Sequence, residues 1–169
     1  MILGLDVSSS MIGIVLLDSQ GTLIKQSKIQ LNKAKIKDEY DKIDTIKEHL
    51  TKEYKSFNNI DKIRVEAPLA AFGKGKSTAA TLAILNRFNG ITCSILYEIF
   101  KIKPELVYSS TARKKCKVII QSKESVKQDV LKRVLDICPA FVLEYTRQKN
   151  YAPGTFDMAD AFVVAYSGI

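Results

Sequence analysis

The sequence predicts an α/β domain built on a mixed sheet, and three observations carry that expectation. Two apolar runs, residues 2–7 and 12–17, flank Ser8, Ser9 and Ser10 and read as adjacent antiparallel strands joined by a tight polar turn. A third strand, an amphipathic helix and a fourth strand follow, the order of a crossover connection in a mixed sheet. The chain has 169 residues, 46% of them hydrophobic, enough for one globular domain with a buried core and too little for two.

The elements follow in order. After Gly21-Thr22, residues 23–31 form a third strand whose lysines place it at or near an edge, where charge discourages further pairing. Residues 37–54 form a helix, because Ile36, Tyr40, Ile43, Ile46, Leu50 and Tyr54 recur at three- and four-residue spacings along one stripe. Residues 60–65 are a strand that ends in Glu66-Ala67-Pro68, since Pro68 has no N–H for a ladder. The loop beyond it carries Phe72 and Gly73-Lys74-Gly75-Lys76 and mimics a phosphate-binding loop. That motif needs a glycine five positions before Gly75, and Ala70 stands there.

A long helix over 77–100 is apolar on more than one face, through Leu82, Ile84, Leu85, Phe88, Ile91 and Ile95. Asn86, Arg87 and Asn89 interrupt it, so it reads as a core or subunit-interface helix and not as a membrane span. Residues 105–108 are a short fifth strand. Ser109, Ser110 and Thr111 then cap a brief helix that carries Arg113, Lys114, Lys115 and Lys117. A helix over 123–137 turns Val126, Val130, Leu131 and Val134 inward and Lys127, Lys132 and Arg133 outward. A loop over 145–154 with Arg147 and Lys149 leads to a last helix over 156–166, where Asp157 and Asp160 share a face.

The net charge of +8 is concentrated: residues 101–150 carry twelve basic and five acidic side chains, whereas residues 1–50 carry seven of each. Such a block fits a polyanionic partner, nucleic acid before membrane, against the plainer reading of a soluble lysine-rich surface. Cys93, Cys116 and Cys138 are far apart and the single His49 lies in a polar helix, so neither a zinc site nor a disulfide framework is expected. The apolar start of the chain is too short for a leader and is interrupted by Asp6, which makes a cytoplasmic location the expectation.

Asp6 is the residue that does not fit its strand. A carboxylate among Leu3, Leu5 and Val7 costs several kcal/mol unless something cationic compensates it, on the order of the burial penalty of an ion. It is either an acceptor for the serine turn or a metal ligand. Glu66 at a strand end and Asp160 between Ala159 and Ala161 raise the same question, while Asp157 alone would pass as a favourable charge in a first helical turn. Four acids without His or Cys form an all-oxygen donor set, which selects Mg²⁺ or Mn²⁺. Two such ions, about 4 Å apart, are the means of phosphodiester hydrolysis in many nucleases.

The stretches LGLDVSSSMIGIVLLD, RVEAP, TARKKCKV, SKESVKQDVLKRVLDI and FDMADAFVVA together resemble the RuvC-like Holliday junction resolvases of the RNase H-like nuclease superfamily. The resemblance spans nearly the whole chain. It implies a central five-stranded mixed sheet, three strands antiparallel and then two parallel, flanked by helices. It also implies that Asp6, Glu66, Asp157 and Asp160 are a metal-binding catalytic tetrad for two Mg²⁺ or Mn²⁺ ions. Arg113 or Lys114, and Lys123, would lie near the scissile strand, with Lys74, Lys76, Lys115 and Lys117 as further DNA contacts and Phe72 as the loop aromatic that enters the junction. A homodimer through the 77–100 helix would suit a four-way junction with two-fold symmetry. A longer loop after Glu66, and Val118-Ile119-Ile120-Gln121 in place of a glycine-containing turn, mark a divergent member of viral or phage type. The alternatives are an RNase H-fold nuclease acting on RNA-DNA hybrid or other branched DNA, an actin-like or sugar-kinase ATPase fragment, and a non-catalytic DNA-binding module.

Overall fold

Alternation along the first strand decides which face of the sheet carries the chemistry. In the computed structural model, which describes residues 1–68 and 79–169, β1 (Ile2–Val7) turns Leu3, Leu5 and Val7 to one face and Ile2, Gly4 and Asp6 to the other. It pairs antiparallel with β2 (Met11–Leu17), setting Asp6 opposite Gly13. The serine turn closes on itself: the Ser8 hydroxyl donates to the Met11 carbonyl at 2.8 Å and accepts from its N–H at 2.9 Å. Asp6 is therefore not needed as a cap.

β3 (Leu23–Gln30) takes the edge beside β2, β4 (Lys62–Glu66) runs parallel to β1, and β5 (Glu105–Val107) runs parallel to β4, giving the order β3-β2-β1-β4-β5. The sheet thus has three antiparallel strands followed by two parallel ones, as the sequence predicts. One face is covered by α1 (Glu39–Tyr54) and α2 (Ala79–Phe100), which bury Ile46, Leu50, Tyr54, Phe88, Ile95 and Leu96 against it. The other is covered by α5 (Thr155–Tyr166), over which α3 (Ser109–Lys115) and α4 (Val126–Ile137) pack. Sandwiched this way, α5 is apolar on most of its surface, from Met158 and Ala159 to Val164 and Ala165, with Asp157 and Asp160 as its charged residues.

Two glycines bring α5 unusually near. A Cβ at Gly4 would lie 2.4 Å from the Ala161 carbonyl oxygen, and one at Gly13 would lie 2.2 Å from the Asp157 carbonyl. The helix backbone rests directly on the strands, and Asp160 comes down beside Asp6.

Element ends differ from the sequence reading for local reasons. α1 starts at Glu39 and not at 37, because Asp38 caps it by accepting from the Asp41 N–H at 2.9 Å. The strand read as 60–65 is shifted to Lys62–Glu66, so Glu66 is inside the ladder. The three residues read as a cap for α3 include Ser109 and Ser110, which lie within the helix; its N-cap is Tyr108, without a side-chain bond. Lys117 lies past the helix end at φ 54°. Residues 122–125 are a turn stitched by Ser122 and Ser125, which places Lys123 before α4 and not in it. The long helix expected over 77–100 is present as α2 from Ala79 to Phe100, and residues 77 and 78 lie outside the described residues.

Candidate metal centre

Asp6 and Glu66 stand on neighbouring parallel strands, Glu66 one position beyond the Leu5–Val65 pair, so their side chains leave the same face side by side. Asp160 reaches them from α5. One carboxylate oxygen from each of the three lies within 4.8 Å of the others. Asp157, one helical turn earlier, is half-buried and does not join this group, although its charge acts on all three.

Burial and mutual repulsion oppose the ionisation of all three acids. Asp6 is pushed far above the usual carboxylate range by burial first and then by Glu66, Asp160 and Asp157. Glu66 is pushed up to about 7 by burial and by Asp160, against the opposing pull of Arg113 and of a Ser109 hydrogen bond. Asp160 is also raised by burial, despite an ion pair in which Arg113 Nη2 donates to its Oδ1 at 3.0 Å. One guanidinium among three acids leaves negative charge uncompensated. An all-oxygen set on three separate elements, held against its own repulsion, fits a hard divalent cation, and Asp6, Glu66 and Asp160 could hold one.

The structure distributes the expected basic residues unequally. Arg113 belongs to the carboxylate cluster itself. Lys114 and Lys123 are exposed, Lys115 donates to the Ser167 carbonyl at 3.0 Å beyond the far end of α5, and Lys117 lines a cavity with Lys132 and Arg133. Phe72, Lys74 and Lys76 lie outside the described residues.

Three neighbours of the site were not linked to the acids by anything in the sequence. Asn89 of α2 is buried and donates to the Glu66 carbonyl at 2.8 Å, fixing the strand end. Ser109 bonds the Glu66 carboxylate from the first turn of α3. Lys127, read as an outward lysine of α4, is exposed, yet it is near enough for its charge to favour ionised Asp6 and Asp160, with its Nζ 5.8 Å from the centre of the Phe156 ring. Each comes from an element distant in sequence, and periodicity could not have found them.

The raised acids predict how stability depends on pH. Glu66 has an ordinary value of 4.5 and a folded one of about 7, so the folded state binds its proton more tightly. The stability this lends is complete below the unfolded value and is lost as pH rises through about 7. The metal-free protein should therefore lose Tm relative to Glu66→Gln as pH climbs from 5 to 8, and Mg²⁺ should raise the wild-type Tm more at pH 8 than at pH 5. An equal Mg²⁺ increment at both values would show that the ion binds elsewhere.

The order of strands and the helices on both faces of the sheet are those of an RNase H-like α/β fold. No protein-family model and no curated protein sequence matches the chain. Solved structures do. T. thermophilus RuvC in complex with Holliday junction substrate superposes with a TM-score of 0.69 at 12% identity, covering 98% of this chain and 90% of that one. A second Thermus thermophilus RuvC structure gives 0.64 at 13% identity, covering 98% and 91%. The chain has a RuvC-like fold at an identity that fits a divergent sequence.

Proposed function

We propose that the protein is a structure-selective endonuclease that resolves four-way DNA junctions by metal-dependent phosphodiester hydrolysis. The observation that carries this reading is the convergence of Asp6, Glu66 and Asp160 from β1, β4 and α5, with carboxylate oxygens within 4.8 Å of one another, in a RuvC-like fold. Asp6, Glu66, Asp157 and Asp160 would hold two Mg²⁺ or Mn²⁺ ions. When bound, the ions supply a water nucleophile at neutral pH and Lewis-acid stabilisation of the charge that develops on the scissile phosphate.

The chain's own residues do the rest. Arg113 anchors Asp160 and places a guanidinium where a phosphate oxygen would approach. Lys127, in the first turn of α4, adds positive charge near the acids; Lys123 just before α4, Lys114 and Lys115 of α3 and Lys117 past its end are further cations for the DNA backbone. These contacts position the backbone of any DNA; they do not recognise a branch. For that role we propose Phe72, which follows Glu66 in the sequence and lies outside the described residues.

Two copies paired through α2 would place two sites on a two-fold symmetric junction and give paired nicks. Support comes from the surplus apolar surface of that helix, where Ile84 and Tyr97 remain 42% and 48% exposed.

Purified protein incubated with a four-way junction, a linear duplex and an RNA-DNA hybrid, with and without Mg²⁺, tests this directly. Mg²⁺-dependent symmetric nicks in the junction alone are expected. Preferential cleavage of the hybrid would move the assignment to an RNase H activity, and no cleavage of any of the three would refute the nuclease. Sedimentation of the same preparation showing only an 18.9 kDa species would remove the paired-nick dimer.

A further inference from the structure

The segment between α4 and α5 contains a hairpin that neither the core nor the carboxylate cluster requires. Tyr145 and Tyr151 form an antiparallel bridge, closed by bonds from the Thr146 N–H to the Asn150 carbonyl at 2.8 Å and from the Lys149 N–H to the Thr146 carbonyl at 3.0 Å. Its root is tied to β3. Lys28 pairs with Glu144 at 2.7 Å, and the Gln26 amide exchanges two hydrogen bonds with the Val142 backbone. At the tip, Lys149 has φ 62°, a left-handed conformation that glycine or asparagine adopts at less cost in such loops. A lysine there trades backbone comfort for a charge. Neither Lys149 nor Arg147 has an acidic partner among the described residues, and both are exposed.

The aromatic residues of this hairpin run toward the site. The Tyr145 and Tyr151 ring centres are 5.5 Å apart, Tyr151 meets Phe156 edge-on at 5.6 Å, and Phe156 lies under Lys127 immediately before Asp157. Tyr145 is 57% and Tyr151 40% exposed, so the pair is not a buried structural contact. A cavity of about 330 Å³ between Tyr151 and the face of α4 that carries Gln128, Leu131, Lys132, Leu135 and Asp136 leaves room for a planar group beside the Tyr151 ring.

We propose that this hairpin is a stacking platform for single-stranded DNA: Tyr145 or Tyr151 receives an unpaired base of the strand entering the carboxylate site, and Arg147 and Lys149 hold the adjoining phosphates. The inference rests on the nuclease reading above. Its logic is that every base offers a π face, but in duplex those faces are already stacked, so exposed tyrosines gain only from unpaired nucleotides. The cations have no such preference and strengthen all DNA binding.

The test measures Kd by fluorescence anisotropy, without Mg²⁺, for a labelled four-way junction, a linear duplex and an oligo-dT strand across a salt series. A double variant, Tyr145→Leu with Tyr151→Leu, keeps the apolar cross-strand contact without a π face. It should bind oligo-dT and junction about tenfold more weakly and duplex as wild type does. Tyr145→Phe with Tyr151→Phe should bind all three normally. Arg147→Ala with Lys149→Ala should weaken all three and flatten the salt slope for duplex by about 2, one counterion per lost contact. Wild-type oligo-dT and junction affinity in the leucine pair would overturn the platform while leaving the nuclease intact. Failure of the wild-type protein to bind any of the three DNAs would overturn both.

Discussion

Asp6→Asn is expected to abolish metal-dependent cleavage while leaving the protein folded and its junction affinity undiminished. Asp6 is the most enclosed of the three converging acids, and its charge is opposed by burial, Glu66, Asp160 and Asp157 together. An amide of the same shape removes that repulsion, so the metal-free variant should melt no lower than wild type near neutral pH. What it cannot do is hold a divalent ion with a full negative charge. The rate should fall by at least about 10³, the scale on which a preorganised charge at a reacting phosphate contributes. Glu66→Gln and Asp160→Asn should behave alike. On the proposed function, binding is carried by cations elsewhere and would not be weakened by removing an anion that repels phosphate. Junction cleavage by Asp6→Asn within tenfold of wild type would sink the metal assignment. A cooperative melt at an unchanged temperature must accompany the loss, or the variant has merely failed to fold.

The largest effect away from the acids is expected at Gly13. An alanine Cβ there would sit 2.2 Å from both the carbonyl carbon and the oxygen of Asp157 and 2.5 Å from the Met158 nitrogen. All three are backbone atoms, which no rotamer change can move aside. Relief requires α5 to lift off β2, and α5 is the helix whose apolar faces tie the sheet to α3 and α4. Overpacking of this kind costs about 1–3 kcal/mol or more, and near this chain length each kcal/mol is worth roughly 2–4 °C of Tm. Gly13→Ala should lower Tm by several degrees and, because Asp157 and Asp160 ride on the displaced helix, should lose Mg²⁺-induced stabilisation as well. Gly90→Ala is the control, since among the described residues the Cβ it would add meets nothing within 4 Å apart from its chain neighbours and its own helix's backbone. It should melt at or above the wild-type temperature. A Gly13→Ala protein with wild-type Tm and Mg²⁺ response would show that the contact between α5 and β2 is not what holds the acids in place.

The elements were legible because each has its own local rule. Alternation at Ile2–Val7 and Met11–Leu17 announces strands, and the stripe from Tyr40 to Tyr54 announces a helix. Pro68 stops a strand wherever it stands. Asp6 was conspicuous for the same reason: strand periodicity surrounds it with apolar residues, and an ion is costly there. The sequence by itself thus determined the order of strands and helices, the edge position of the lysine-bearing β3, and the acids that break their own patterns.

Only the tertiary structure decided how those acids meet. The distance between Asp6 and Glu66 depends on β1 pairing with β4 across fifty-odd intervening residues, and no periodicity records a pairing register. Asp160 joins them because Gly4 and Gly13 admit α5 onto the sheet, whereas Asp157 on the same helical face stays outside the cluster. Charge counting placed Arg113, Lys114, Lys115 and Lys117 in one block. Folding sends Arg113 to Asp160 and Lys115 to the Ser167 carbonyl, because consecutive residues of a helix point about 100° apart and meet different neighbours. Lys127, by contrast, lies far from Asp6, Glu66 and Asp160 in sequence, yet in the folded chain its charge acts on Asp6 and Asp160. A local pattern reports what each residue costs where it stands, and only packing reports which other residue offsets that cost.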